Sequence, residues 1–239
     1  MEQCLVVHNF QGQIYPFEMI YRHHIGGSIY KKYAATGFAA GMQLMPGLPK
    51  WSKLSGPIFT PSTKEELGHD INIDAAYFFN EMAKTISEVD VEKSVNTLSK
   101  AYAKAYNYAE ERGILILDTK FECAGKTIID EILTPDSSRF ALKTDWEKAM
   151  HEGRDPYFHD KQPVRDWGSR IKTNFKDAEG HNIIGINHLN PEIPEHVKFV
   201  HSLKVPEKII SDTTNRYLGI FKMITGKTLD EYQAEFFTA

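Results

Sequence analysis

Apolar positions along this chain switch between two spacings, and the switches mark out its elements. Val95, Leu98, Tyr102, Ala105 and Ala109 recur at three- and four-residue steps, which puts them on one face of a helix that Gly113 ends. Ile114-Leu115-Ile116-Leu117 follows at once as a continuous apolar run, predicting a buried strand over 114–121. Thr127-Ile128-Ile129 predicts another, and Ala124-Gly125 between them signals a tight turn, so the pair folds as a hairpin. Upstream, 4–8 and 13–21 have strand character and join at Gln11-Gly12. Gly26-Gly27-Ser28 breaks the second of these, and a short helical stretch follows near 29–33. Residues 42–63 are rich in Pro, Gly, Ser and Thr and are expected to form an extended loop, which at that length is more often functional than filler.

Asp74 is placed to cap a helix running to about Ile86. Residues 141–195 are polar and irregular, with two short helical pieces. Pro206 opens a final helix with Ile209, Ile210, Tyr217, Phe221 and Ile224 inward and Gly226 at its end. The helix-to-strand step followed by a hairpin predicts an α+β layer arrangement. The expected division is a central α+β part over 1–140 and a loop and helical part over 141–239 packed on it.

Composition narrows the function classes. With 239 residues the chain can bury a substantial core. Net charge is -4, from 28 basic and 32 acidic residues, which argues against a dedicated nucleic-acid binder and leaves room for a local cationic pocket. No apolar run approaches transmembrane length and no secretory leader pattern is present, so no membrane partner is expected. The two cysteines, Cys4 and Cys123, form no CxxC and fit a reducing, cytoplasmic setting.

The chemistry concentrates in and after the predicted hairpin. Asp118-Thr119-Lys120-Phe121-Glu122 and Asp130-Glu131-Ile132-Leu133-Thr134-Pro135-Asp136-Ser137-Ser138-Arg139 bring carboxylates, a lysine and an arginine onto adjoining strands. The fold of the hairpin sets Glu122 near Asp130. Two acids brought together need a cation: either magnesium, a hard ion that takes carboxylate and phosphate oxygens, or the side chains of Lys120 and Lys126. Arg22 with Gly26-Gly27-Ser28 offers a guanidinium fork, backbone amides and a hydroxyl that suit a phosphate, or is an ordinary turn beside a surface arginine. Lys64 and Asp70 could serve phosphoryl transfer, while Ser62 or Thr63 equally caps a helical turn there. Asp160-Lys161-Gln162 begins a polar stretch fit for an anionic or zwitterionic ligand, or a solvated helix start. Gly125-Lys126-Thr127 and Gly226-Lys227-Thr228 lack the upstream glycine of a phosphate-binding loop. His23 and His24, adjacent on a strand, face opposite ways and cannot jointly chelate a metal.

Taken in order, Tyr21-Arg22-His23-His24-Ile25-Gly26-Gly27-Ser28, Pro57-Ile58-Phe59-Thr60-Pro61-Ser62-Thr63-Lys64, Gly68-His69-Asp70, the two segments around the hairpin and Asp160-Lys161-Gln162 resemble the SAICAR synthetase family. Arg216-Tyr217 through Thr225-Gly226-Lys227 resembles that family's final helix, so the likeness covers essentially the whole chain. The resemblance implies an α+β, ATP-grasp-like fold with a central antiparallel sheet, packed helices and a helical C-terminal part. It implies a purine-pathway ligase that uses ATP and Mg2+ to join L-aspartate to carboxyaminoimidazole ribonucleotide (CAIR). Carried over by motif, Glu122 and Asp130 would hold magnesium. Arg22, Ser28 and Arg139 would grip the ribotide phosphate, with Asp118 also on the ribotide. Lys64, Asp70 and Lys120 would surround the transferring phosphoryl group, and Lys161 and Gln162 would serve the nucleotide or aspartate.

Three departures from the family pattern stand out. Phe-Glu-Phe-Gly becomes Phe121-Glu122-Cys123-Ala124, and Asp-Glu-Asn becomes Asp70-Ile71-Asn72, with one carboxylate fewer. Family members also begin with a small β-rich lobe over the ATP, which this chain, starting just before the strand that leads to Arg22, is expected to lack. A separate chain supplying that lobe, or a homo-oligomer, is then the partner to look for. A ribotide-binding protein without ATP chemistry is the alternative function.

Overall fold

The computed structural model describes residues 13–64, 70–125 and 127–237. Strand β1 (Phe17–Ile25) begins later than the hydrophobic pattern predicts. Pro16 lies inside the predicted 13–21 run and has no amide to donate, so it separates an isolated Ile14–Ala124 bridge from the continuous strand. Gly26-Gly27 ends β1, and helix α1 (Ser28–Thr36) follows as expected. The predicted strand at 4–8 lies outside the described residues, as does Cys4.

A two-strand hairpin, β2 (Phe38–Ala39) and β3 (Met42–Gln43), comes next. The stretch expected to be loop, 42–63, instead carries β4 (Ser52–Phe59), which pairs antiparallel with β1, and β5 (Ser62–Thr63). Gly56 and Pro57 hid this strand in the sequence. They are tolerated because β4 is the edge of the sheet and needs a partner on one side only.

Helices α2 (Ala75–Met82) and α3 (Glu88–Glu110) lead into the sheet's centre. Asp74 does stand at the N-cap of α2, but its side chain makes no capping bond and pairs with Lys32 at 3.3 Å. Helix α3 starts well before Val95. Ser87 accepts a bond from the Asp90 amide, and Glu88 and Asp90 favour the positive end of the helix. Strand β6 (Ile114–Ala124) follows, turns at Gly125 and pairs with β7 (Thr127–Ile129), which is the predicted hairpin.

Beyond β8 (Ser138–Leu142) the chain is more ordered than its polarity suggests. It forms α4 (Lys143–Glu152), β9 (Phe158–His159), α5 (Gln162–Gly168) and a hairpin of β10 (Lys172–Lys176) and β11 (Asn182–Ile184). The last elements are α6 (Pro194–Ser202), α7 (Glu207–Thr225) and α8 (Leu229–Phe236). Gly226 caps α7 in the left-handed conformation. Ile220 is that helix's buried residue, whereas Ile210, expected inward, is 45% exposed because it lies off the face shared by Ile209, Tyr217, Ile220 and Ile224. The sequence reading did not separate α8. Its signal was Thr228 with Glu231 three residues on, which form a reciprocal capping box.

The antiparallel sheet runs β4-β1-β6-β8-β9. Side chains alternate across it. Met19 and Tyr21 of β1 and Leu117 and Phe121 of β6 join Leu98, Tyr102 and Tyr106 of α3 in the main apolar core, with Ile220 of α7 in the same cluster. The opposite phase, Glu18, Ile20 and Arg22 of β1 and Asp118, Lys120 and Glu122 of β6, is left to carry polar chemistry. No described helix is long and apolar enough to cross a membrane.

Candidate functional site

Register builds the site. Arg22 lies opposite Asp118 across β1 and β6, and Asp118 lies opposite Arg139 across β6 and β8. Three strands therefore present one row, arginine–aspartate–arginine. Both β1 and β6 have a register shift beside this row, between Arg22 and His24 and between Ile116 and Asp118, a common device for re-aiming side chains next to sites. Arg139 Nη1 donates to Asp118 Oδ2 at 2.6 Å, and Arg22 Nη1 donates to the same oxygen. Arg22 Nε donates to Thr60 Oγ1 at 2.9 Å and its Nη1 reaches the Gly26 carbonyl at 3.5 Å.

Burial pushes the Arg22 pKa down, and the Asp118 carboxylate opposes that shift. Two guanidinium groups against one carboxylate leave the row with one positive charge in excess. Arg139, the less buried of the two, turns that charge toward solvent. Gly27 makes this packing feasible. Its φ is +64°, and a Cβ there would lie 3.1 Å from Arg139 Nη1 and 3.3 Å from Arg22 Nη1. Ser28, the first residue of α1, donates its hydroxyl to Asn72 Oδ1 at 3.1 Å beside the same turn.

A second charged cluster lies two residues along β6. Lys120 Nζ donates to Glu122 Oε1 at 2.7 Å and to Asp130 Oδ2 at 3.0 Å, with Glu18 Oε1 at 3.5 Å. Lys64 holds the other oxygen of Glu122 at 2.5 Å. Burial works against the Lys120 charge, but its bonds to Glu122 and Asp130 outweigh it and raise its pKa. Burial pushes the Asp130 carboxyl up, but its bonds to Lys120 and Glu131 together outweigh that and hold it down at about 2. The hairpin thus does bring Glu122 and Asp130 together, and Lys120 is the cation between them. Lys126, the other cation considered, lies outside the described residues. Among the described residues no group of three or more His, Cys, Asp or Glu could hold a metal ion.

The far wall comes from the C-terminal part. Lys161 Nζ pairs with Asp136 Oδ2 at 3.0 Å, and Tyr217 of α7 donates to Asp136 Oδ1 at 3.3 Å. Gln162 opens α5, and its side-chain amide donates to Asp166 at 2.7 Å. Asp160 is buried. It accepts from the Gln162 amide at 3.0 Å and lies 4.0 Å from Arg139 Nε and 3.7 Å from Arg216 Nη1. Burial raises the Asp160 pKa, with the Gln162 amide and the arginines acting the other way.

These walls enclose a cleft of ≈ 920 Å³. Of the residues the sequence singles out, Arg22, Ser28, Asp70, Asp118, Lys120, Arg139, Lys161 and Gln162 line it. Lys64, Glu122 and Asp130 are not on its lining and reach it through Lys120. Sequence reasoning missed Glu18, whose only signal is its two-residue phase with Ile20 and Arg22, and gave Asp160 no role of its own. The two pattern departures have separate fates. Cys123 points into the core, where burial and the neighbouring Glu122 push its thiol up to about 11. Ile71 is an exposed residue.

Known proteins resemble this chain along most of its length. The family model described as SAICAR synthetase matches residues 3–181. The phosphoribosylaminoimidazole-succinocarboxamide synthase of Thermodesulfovibrio yellowstonii is 38% identical over 215 residues, covering 88% of this chain and 63% of the relative. The enzyme of the same name from Saccharomyces cerevisiae is 36% identical over 236 residues, covering 94% and 65%. A solved structure of SAICAR synthase from Saccharomyces cerevisiae complexed with SAICAR superposes with a TM-score of 0.63 at 31% identity, covering 91% of this chain and 62% of that one. The chain therefore spans a little under two thirds of the length of the relatives it matches.

Proposed function

Because this chain belongs to the SAICAR synthetase family, we propose that it serves an ATP-dependent ligation of L-aspartate to CAIR, giving SAICAR, ADP and phosphate. The observation that carries this reading is the Arg22–Asp118–Arg139 row with its excess positive charge on a cleft large enough for a ribotide. A phosphate monoester fits between two guanidinium forks beside a glycine turn and the N-terminus of α1. Asp118 keeps both arginines oriented, and in this reading it accepts from a ribose hydroxyl.

The reaction has two steps. A carboxylate oxygen of CAIR attacks the γ-phosphorus of ATP, and ADP leaves, which gives an acyl phosphate. The amine of aspartate then attacks the acyl carbon. The C–O bond breaks, phosphate departs and the amine loses a proton. Both steps bring anions together, so charge neutralisation and positioning carry most of the work. Lys120 and Lys64 supply the positive charge nearest the carboxylate cluster, and Asp70 lines the same cleft. Lys161 and Gln162 offer an ammonium and an amide for the nucleotide or for the carboxylates of aspartate.

Glu122 and Asp130 carry the carboxylate oxygens that magnesium takes when phosphate oxygens complete its shell, and since both acids pair with Lys120, the ion would have to replace that ammonium between them. Bound there with ATP, the ion would shield the phosphates from both carboxylates.

The test is ADP release by the purified chain with CAIR, ATP, L-aspartate and magnesium. The reading expects release that requires every substrate. ADP release that is absent, or unaffected by omitting CAIR or aspartate, overturns it. Ribotide binding without ADP release is the outcome expected of a ribotide-binding protein that lacks ATP chemistry.

A further inference from the structure

Trp51 is not among the residues the ligase reading uses, yet it is held in an unusual way. It is buried and has φ of 70°, a left-handed backbone that a bulky residue rarely adopts. Such an outlier persists only where its surroundings over-determine it. Here they do. The Trp51 amide donates to the Ile25 carbonyl at 2.7 Å, and its own carbonyl accepts from Trp146 Nε1 at 2.9 Å. Its indole Nε1 donates to Asp155 Oδ1 at 2.8 Å, and Lys50 holds the other oxygen of Asp155 at 2.7 Å. Phe158 packs on the ring with centroids 4.8 Å apart.

The ring so fixed touches two parts of the phosphate row. A Cβ at Gly26 would fall 2.1 Å from Trp51 Cε3, so the indole occupies the space beside Gly26 and braces the start of the Gly26-Gly27 turn. The Arg139 guanidinium carbon lies 5.7 Å from the ring centre, within cation–π range. Arg139 is a long, partly exposed side chain whose short ionic contact among the described residues is Asp118. Asp118 fixes one end of the guanidinium and Asp160 lies at the longer distance of 4.0 Å from its Nε, which leaves its faces unsupported by either carboxylate. A second surface is needed to set its plane.

We propose that Trp51 is a positioning residue that presents Arg139 and the Gly26-Gly27 turn to the phosphate of the ribotide, with Asp155 anchoring the indole. This rests on the reading that Arg139 grips that phosphate.

The test is calorimetric affinity for two ligands, CAIR and its riboside, which lacks the phosphate. The proteins are the natural chain, Trp51→Leu, Trp51→Phe, Asp155→Ala and Arg139→Ala. Trp51→Leu is expected to weaken CAIR binding about tenfold and riboside binding by less than about twofold, with Trp51→Phe in between. A purely structural role predicts equal loss for both ligands, and that result overturns the inference. So does a Trp51→Leu chain that binds CAIR normally while Arg139→Ala does not. An Arg139→Ala chain that keeps full CAIR affinity removes the site reading and the inference together. If Trp51→Leu does not fold, Asp155→Ala decides. Its side chain is half exposed, and freeing the indole from it is expected to cost CAIR about threefold and the riboside nothing. Unchanged CAIR affinity in Asp155→Ala then counts against the proposal.

Discussion

Asp118 stands directly opposite Arg22 in the β1–β6 register, and the two form an ion pair that is almost wholly buried. Arg139 reaches the same carboxylate oxygen from the other side. One aspartate thus keeps two arginines from repelling each other beneath the cleft. Removing it leaves Arg22 buried with its charge unpaired. Asp118→Ala is expected to cost about 3–5 kcal/mol of stability, measured by urea unfolding at neutral pH. A loss under about 1 kcal/mol would show that the pair does not hold the row together.

Lys120 is the cation shared by Glu18, Glu122 and Asp130. Lys120→Met removes the charge and keeps much of the side chain's bulk. Turnover is expected to fall at least about 100-fold, the usual scale for losing one preorganised group that stabilises developing charge. Lys64, whose ionic partner among the described residues is Glu122 and which is more exposed, is expected to matter less. A Lys120→Met chain with near-normal ADP release would place the phosphoryl-transfer centre elsewhere.

Acid sensitivity follows from two buried imidazoles. His23 stacks on Tyr106 with ring centroids 3.7 Å apart, and His24 is enclosed with neither ring nitrogen hydrogen-bonded to a described residue. Burial lowers the pKa of His23 to about 4 and of His24 to about 3. Unfolded histidine takes up its proton near pH 6.5, so between there and pH 4 the unfolded chain binds more protons than the folded one. Stability is therefore expected to be full above pH 6.5 and to fall as pH drops toward 4. Asp130, held at about 2, adds a further loss that begins near pH 4 and ends below 2. The check is urea unfolding at pH 7 and pH 5 for the natural chain and His24→Phe. The variant should lose less stability on acidification. An equal loss in both proteins would contradict the assignment.

Much of this arrangement was legible in the sequence because local signals agreed. The helical spacing of Val95 through Ala109, the stop at Gly113 and the apolar run from Ile114 gave α3 and β6, and Ala124-Gly125 gave the hairpin. Strand β4 was not legible. Gly56 and Pro57 are loop signals, and only an edge position with one free side makes a strand of them. The motif residues on the cleft could be named in advance because they cluster along the chain. Lys120 as the partner of Glu18, and Trp51 beside Arg139, depend on register and on contacts between distant segments, which no spacing rule reports.

Gly27 couples backbone conformation to the site. Gly27→Ala puts a methyl group on a residue with φ of +64° and within 3.1 Å of Arg139 Nη1. A destabilisation of about 1–2 kcal/mol is expected, together with weaker CAIR binding, read by thermal unfolding and calorimetry on the same samples. Gly47→Ala, also at positive φ but with open space around it, should cost similar stability and leave CAIR affinity intact. Equal effects of the two substitutions on affinity would separate Gly27 from the site.

The central claim is that Arg22 and Arg139 hold the ribotide phosphate in the cleft, and direct titration of CAIR into the purified chain tests it. The natural chain is expected to bind one CAIR per chain, with affinity falling at least about tenfold in Arg139→Ala while the variant stays folded. Undiminished binding in folded Arg139→Ala, or no binding by the natural chain, would contradict it.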